Sequence, residues 1–321
     1  MRTLRTGILA TLTLLLLCLA SPAGESWPAK AVQMIIPVRP GGDTDMNGRL
    51  FCKYLEKELG QPVVMVNVDG GGATIGSKRV LGAKPDGYTA IFYHTESMLP
   101  KIAGLVDFDI FDFAMCGIGI VDNTTVLATY KGAPYQTLQE LVDYARANPG
   151  KVEFGMQTGG YPHLIGLALQ DTIGAELNIV DVGGNAAKTV ALKGKKTDVI
   201  NTQYGLTKDY FIAGDFICLG LLSEDRNPLL ADIPTTKEQG YPMVFNKFFF
   251  IGMPKDTPKE ITDAMSVAMK RVTENADFRK DCERLFITPE YMNPADATAH
   301  ATAVYESLVK YQDLFRAEST K

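Results

Sequence analysis

The sequence predicts an α/β protein of two lobes, each a mainly parallel sheet flanked by helices, with a ligand cleft between them. Three observations predict it. Short apolar runs alternate with segments of helical spacing in two successive blocks, a helix-rich return follows, and glycine-rich loops recur where an expected strand hands over to an expected helix. The 321 residues suffice for two domains. A composition 46% hydrophobic and 21% charged is that of a globular chain, not a disordered, collagenous or multi-span membrane protein. The net charge of −5 carries no basic excess, so no nucleic-acid partner is expected.

The chain opens with Arg2 and Arg5, a leucine-rich run from Gly7 to Ala20 and Ser21-Pro22-Ala23. A positive start, an apolar core too short to span a bilayer comfortably and small residues at a cleavage point predict a signal peptide over 1–23. The mature protein is then exported to the periplasm. Four cysteines follow it, Cys52, Cys116, Cys218 and Cys282. An oxidising compartment permits bridges in three connectivities, and buried free thiols serve as well. If one bridge forms, Cys116–Cys218 is favoured, because both sit in strands expected at the crossover between lobes.

Val32–Val38 reads as a buried strand, Met46–Leu59 as a helix with apolar Leu50, Phe51, Tyr54 and Leu55 on one face, and Val63–Val66 as a strand. Thr74–Ala83 is a helix and Thr89–Tyr93 a third strand, completing a βαβαβ rhythm. In the middle block Thr137 and Glu140 are spaced as a capping box opening a helix to Asn148. Val152–Phe154, Leu164–Ile173, Asn178–Val182, Asn185–Leu192, Asp198–Asn201 and Leu206–Ala213 continue strand and helix in turn. Late helices open near Pro258 and at Asn293-Pro294, and the Phe248-Phe249-Phe250 run reads as core. The strands Ala114–Ile120 and Phe216–Leu222 are expected to carry the chain across and back. That places the first lobe at 24–120 plus 216–321 and the second at 121–215.

Four loops share one pattern, strand then glycines then helix. They are Gly41-Gly42-Asp43-Thr44-Asp45, Gly70-Gly71-Gly72-Ala73-Thr74, Thr158-Gly159-Gly160 and Gly183-Gly184-Asn185. Glycine permits close backbone approach, and the free N–H groups of a first helical turn favour an anion. Four such ends facing one cleft predict an anion site built mostly of backbone, with Thr44, Thr74 and Thr158 adding hydroxyls. Any one loop is equally well explained as a tight turn. No GxGxxG or GxxxxGK[ST] run supports a dinucleotide or nucleotide site, and no motif supports a metal or other cofactor. No HExxH, GxSxG or SxxK motif supports catalysis. Of three histidines, His94 follows a strand and His163 opens a helix, so either could donate to an anion; His300 lies in the last helix. Asp43 and Asp45 are expected to cap the helix or hold backbone geometry.

Several motifs occur together in order: Trp27-Pro28, Pro40-Gly41-Gly42-x-Thr44-Asp45, Leu59-Gly60-Gln61-Pro62, Pro85-Asp86-Gly87-Tyr88, Asn148-Pro149-Gly150-Lys151 and Pro234-Thr235 with Glu238-x-Gly240. In these the chain resembles the extracytoplasmic solute-binding proteins of tripartite tricarboxylate transporters, the Bug family, over essentially its whole mature length. The resemblance implies a type II-like periplasmic binding protein that closes on a small organic carboxylate and delivers it to membrane permease subunits. The chain is read as a monomer, and the lack of a catalytic motif reads against an enzyme. By position the resemblance points to Gly41–Asp45, Gly71–Thr74, Thr158–Gly160 and Gly183–Asn185. Asp43 departs from the family, standing where a third glycine or small residue is usual. Asn201, Thr202 and Gln203 stand where a lone acid is common, which suggests a ligand with hydroxyls or extra carboxylates instead of an amine. Two rival readings remain open here: an exported enzyme using His94 or Asp43 as base, and a receptor serving a signalling partner.

Overall fold

The computed structural model describes residues 27–319, so the expected signal peptide lies outside the described residues. Two sheets form two lobes. The first contains β1 (Val32–Ile36), β2 (Val63–Asn67), β3 (Thr89–His94), β4 (Phe113–Asp122), β10 (Lys247–Pro254) and β11 (Thr288–Met292), in the order β11-β4-β10-β3-β1-β2. The second contains β5 (Thr125–Tyr130), β6 (Glu153–Met156), β7 (Asn178–Asp181), β8 (Val199–Gln203) and β9 (Phe216–Leu221), in the order β7-β6-β8-β5-β9.

Helices α1 (Asp43–Leu59) and α2 (Thr74–Leu81) cross between the parallel strands of the first sheet. In the second lobe α4 (Tyr161–Ile173) and α5 (Asn185–Lys193) play the same part, while α3 (Leu138–Ala147) joins β5 to the oppositely directed β6 and α6 (Tyr204–Ile212) joins β8 to β9 on the far side of β5. The return supplies α7 (Lys259–Glu274), α8 (Ala276–Arg284), α9 (Pro294–Val309) and α10 (Gln312–Ser319). Local sequence explains several ends. Thr137 and Glu140 close their capping box, Thr137 Oγ1 accepting from Glu140 N–H at 3.2 Å. Asn293 caps α9 through the amides of Ala295 and Asp296. Gly60 ends α1 in the left-handed conformation at φ 65°.

Both sheets are mixed. The strands joined through α1, α2, α4 and α5 are parallel, as expected, but β10 runs antiparallel to β3 and β4, β11 antiparallel to β4, and β5 antiparallel to β8 and β9. Of the antiparallel members, β5 and β10 are the strands by which the chain enters a lobe. Phe216–Leu221, expected to return the chain to the first lobe, is an edge strand of the second sheet instead, paired with β5. The second lobe therefore extends past 215, and the return occurs at Lys247, where the Phe248-Phe249-Phe250 run is the centre of the first sheet. The Cys116–Cys218 bridge is ruled out by the same arrangement: Cys116 is on β4 and Cys218 on β9, in different sheets, and all four cysteines are free thiols. Burial pushes the thiols of Cys52 and Cys218 up to about 12.

The first sheet is covered on one face by Phe51, Leu55, Met265, Met269 and Phe278 and on the other by a core that continues into the second lobe. The lobes also touch beside the crossover. A Cβ on Gly205 of α6 would lie 1.9 Å from the backbone oxygen of Leu285, so only glycine passes there. Lys208 Nζ donates to Arg284 O at 2.8 Å, and Tyr204 meets Phe286 edge-on at 4.9 Å.

Candidate functional site

A cavity of about 470 Å³ lies between the lobes, at the ends of β1, β2, β6 and β7 where each runs into its helix. All four glycine loops reach it, through Gly42-Asp43-Thr44, Gly70-Gly71-Gly72, Gln157-Thr158 and Gly183-Gly184-Asn185. His94 and Glu96 line it from the end of β3, Asn201 from β8 and Lys247 from β10. The cleft is closed. A Cβ on Gly42 would sit 3.9 Å from that of Asn185, and Asn185 Nδ2 donates to Asp43 Oδ1 across the cleft at 2.6 Å.

Asp43 is the first residue of α1 and is buried. It does not cap the helix. Its Oδ2 accepts from Lys247 Nζ, and that ammonium also lies 3.2 Å from Asp122, its partner in the β10–β4 register. Burial alone would raise the Asp43 carboxyl, but the Lys247 ammonium outweighs it and holds the group well below the usual carboxylate range. Burial likewise works against the Lys247 charge, and the two carboxylates more than restore it, so the lysine stays protonated. Asp122 Oδ1 also accepts from the amide and hydroxyl of Thr124 at 2.8 and 2.7 Å, so the crossover strands and the first ligand loop share one ion network.

Asp45 shapes the loop from behind. It accepts from Gly41 N–H at 3.1 Å, from both Arg49 donors at 2.9 and 3.0 Å, and from Asn67 Nδ2 at 3.0 Å. These bonds overcome the effect of burial and keep its carboxyl low. His94 is buried; desolvation pulls its imidazole down to about 3, so it is neutral. Its Nδ1 accepts from Glu96 N–H at 3.3 Å, which leaves the proton on Nε2 as a donor at the cavity wall. Glu96 accepts from Tyr161 N–H at 3.0 Å, a lobe-to-lobe bond, and burial raises its carboxyl.

Not every backbone amide in these loops is open to a ligand. Asp181 accepts from Thr158 N–H at 3.1 Å and Gly183 N–H at 2.8 Å, and Gly159 N–H donates to His163 Nδ1. The open ones are in the first turns of α1 (Asp43, Thr44) and α5 (Asn185, Ala186), which have no intrahelical acceptor, and at Gly71-Gly72. Gly72, at φ 62°, and Gly71, at φ 59°, hold the left-handed backbone that turns these amides inward.

Seven of the residues expected at the site do not line the cavity. Gly41 and Asp45 support the first loop, Ala73 is buried, and Thr74 Oγ1 is spent on Gly71 O. Gly159 and Gly160 form the turn behind Thr158, and Thr202 is buried with its hydroxyl on Gln203 O. His163 packs on Phe315 and His300 on Phe248. Sequence reasoning missed Lys247, Glu96, Gln157 and Asp181. The one usable signal was Lys247 itself, a charge at the head of an apolar strand run, which needs a buried partner.

The profile described as the tripartite tricarboxylate transporter family receptor matches residues 48–312 of the chain. Protein BugT of Bordetella pertussis is 30% identical over 253 residues, covering 76% of each chain. The solved structure of periplasmic binding protein BugD superposes with a TM-score of 0.82 at 25% identity, over 90% of this chain and 98% of that one. An R. palustris protein solved with adipate gives 0.80 at 25%, over 89% and 98%.

Proposed function

The chain belongs to the tripartite tricarboxylate transporter receptor family, and from that premise we propose that it holds a small organic carboxylate in the cavity between its lobes and delivers it to membrane permease subunits. The observation that carries the reading is that the first turns of α1 and α5, one from each lobe, and the Gly71-Gly72 loop all open on a single cavity. Adipate in the R. palustris relative is a ligand of matching chemistry. Binding shifts the population toward the closed form, in which Asn185 already reaches Asp43. Neither rival base suits a chemical step: Asp43 is locked to Lys247, and His94 is too weakly basic at neutral pH. The chain acts as an exported monomer, with cleavage after Ala23; N-terminal sequencing of periplasmic protein checks the cleavage.

Calorimetry of ligand-stripped protein against malate, succinate, citrate, adipate, aspartate and benzoate tests the central reading. At least one of these acids is expected to bind in the micromolar range or tighter. Thr44→Val and Gly72→Val are each expected to weaken it by about tenfold with the fold intact. Silence from every acid at millimolar concentration overturns the reading; wild-type affinity in both variants moves the site elsewhere.

A further inference from the structure

Lys188 lies on α5 one turn beyond Asn185 and is completely buried. Its ammonium donates to Asn201 O at 2.7 Å and to Asn201 Oδ1 at 3.0 Å. An ammonium has three N–H donors, so one has no partner among the described residues, and no carboxylate there sits within ion-pair distance. Lys247 is buried to a similar degree yet is held by two acids. A buried cation without its own counter-ion is unstable unless something else supplies one.

Asn201 lines the cavity. Because Oδ1 is committed to Lys188, the carboxamide can offer only its NH₂ elsewhere, and that group makes no bond within the described residues. We propose that Asn201 and Lys188 form the second lobe's seat for a ligand carboxylate, Asn201 donating to it directly and Lys188 orienting the amide while supplying the counter-charge from behind. The chain then takes dicarboxylates in preference to their half-esters. This rests on the carboxylate-receptor reading above, and Lys188 is a positioning residue in it.

The charges acting on Lys188 are Asp43 of α1, Lys247 of β10 and Glu96 after β3; β5, β6 and β8, which pack against α5, contribute none. Burial pulls the ammonium down to about 7, against the opposing pull of Asp43. A carboxylate seated nearby raises it again, so binding at pH 8 takes up a proton and binding at pH 6 takes up almost none.

The test is titration calorimetry at both pH values, in two buffers of different ionisation enthalpy. The probes are malate, succinate, glutarate, adipate and the monomethyl ester of each. The wild type is expected to bind its best diacid about tenfold or more tightly over the half-ester, with uptake of most of a proton at pH 8. Lys188→Met removes the preference and the uptake while half-ester affinity stays within about threefold, and Lys188→Arg restores the preference. Asn201→Asp keeps the volume and gives Lys188 an internal counter-ion; it abolishes the preference even if Lys188→Met does not fold. Equal binding of diacid and half-ester by the wild type, or a preference that survives Asn201→Asp, overturns the proposal and leaves the receptor reading standing. If no acid binds at all, the receptor reading fails and takes this proposal with it.

Discussion

The two walls of the cleft are built from the same parts and differ in how their charges are balanced. On the first lobe nearly every charge near the cavity has a partner inside the protein: Asp43 and Asp122 share Lys247, Asp45 holds Arg49, and Asp69 holds Arg39 at 2.6 Å. On the second, Asp181 organises two loop amides, but the first turn of α5 and the Lys188 ammonium have no acid of their own. The side-chain charges of one wall are paired before a ligand arrives, while the buried cation of the other is left for the ligand to pair. A receptor that must signal occupancy by closing gains from that asymmetry, since only a ligand-bridged pair of walls is fully satisfied.

The largest effect that can break this contrast is on the first wall. Lys247→Met strands Asp43 and Asp122 without a counter-ion and is expected to destabilise the protein by about 3–5 kcal/mol, read as a fall in the urea midpoint. A loss below about 1 kcal/mol would mean that the network is not what holds the wall. Gly205→Ala comes next. Its methyl meets the Leu285 oxygen, so the lobes must separate, and a loss of about 1–3 kcal/mol is expected, with a larger radius of gyration in small-angle scattering.

Acid sharpens the contrast. Asp43, Asp45 and Asp181 all titrate below the ordinary carboxylate range, so their stabilisation is present above the unfolded pKa and is lost as pH falls through the folded values. Stability measured from pH 7 down to pH 3 is expected to drop, and Asp43→Asn with Asp45→Asn should flatten that drop more than Asp181→Asn, which is the more exposed group. The smallest effect is a gain. Ala73 sits at φ 70°, a conformation that costs a non-glycine residue about 1–2 kcal/mol, and Ala73→Gly should recover up to about 1 kcal/mol after the added chain entropy. Differential scanning calorimetry checks it.

What the sequence could and could not disclose follows from how far each constraint reaches. Local rules place α1, α3 and α9, because a capping box, a cap followed by proline and helical spacing of apolar residues act within one turn. The four glycine loops are visible for the same reason, each being a strand end next to a helix start. The antiparallel strands β5, β10 and β11 are not, because their partners lie far along the chain and their apolar runs carry no directional signal. Phe216–Leu221 has the composition of a crossover strand and becomes an edge strand only through its pairing with β5. Nor could residue types alone show that Asp181 and Glu96 consume amides at Thr158, Gly183 and Tyr161, since that accounting needs distances.

The position of β10 has a consequence for biosynthesis. It lies between β3 and β4, yet it is Lys247–Pro254, so until the ribosome has delivered that stretch the amino-terminal strands have no neighbour to close their sheet. The five strands of the other sheet all fall between Thr125 and Leu221 and can assemble sooner. Chains grow at about 5–20 residues per second, so the earliest-made part waits seconds for its middle strand. If the chain is exported unfolded, as proposed above, that wait keeps the leading segment pliable during passage.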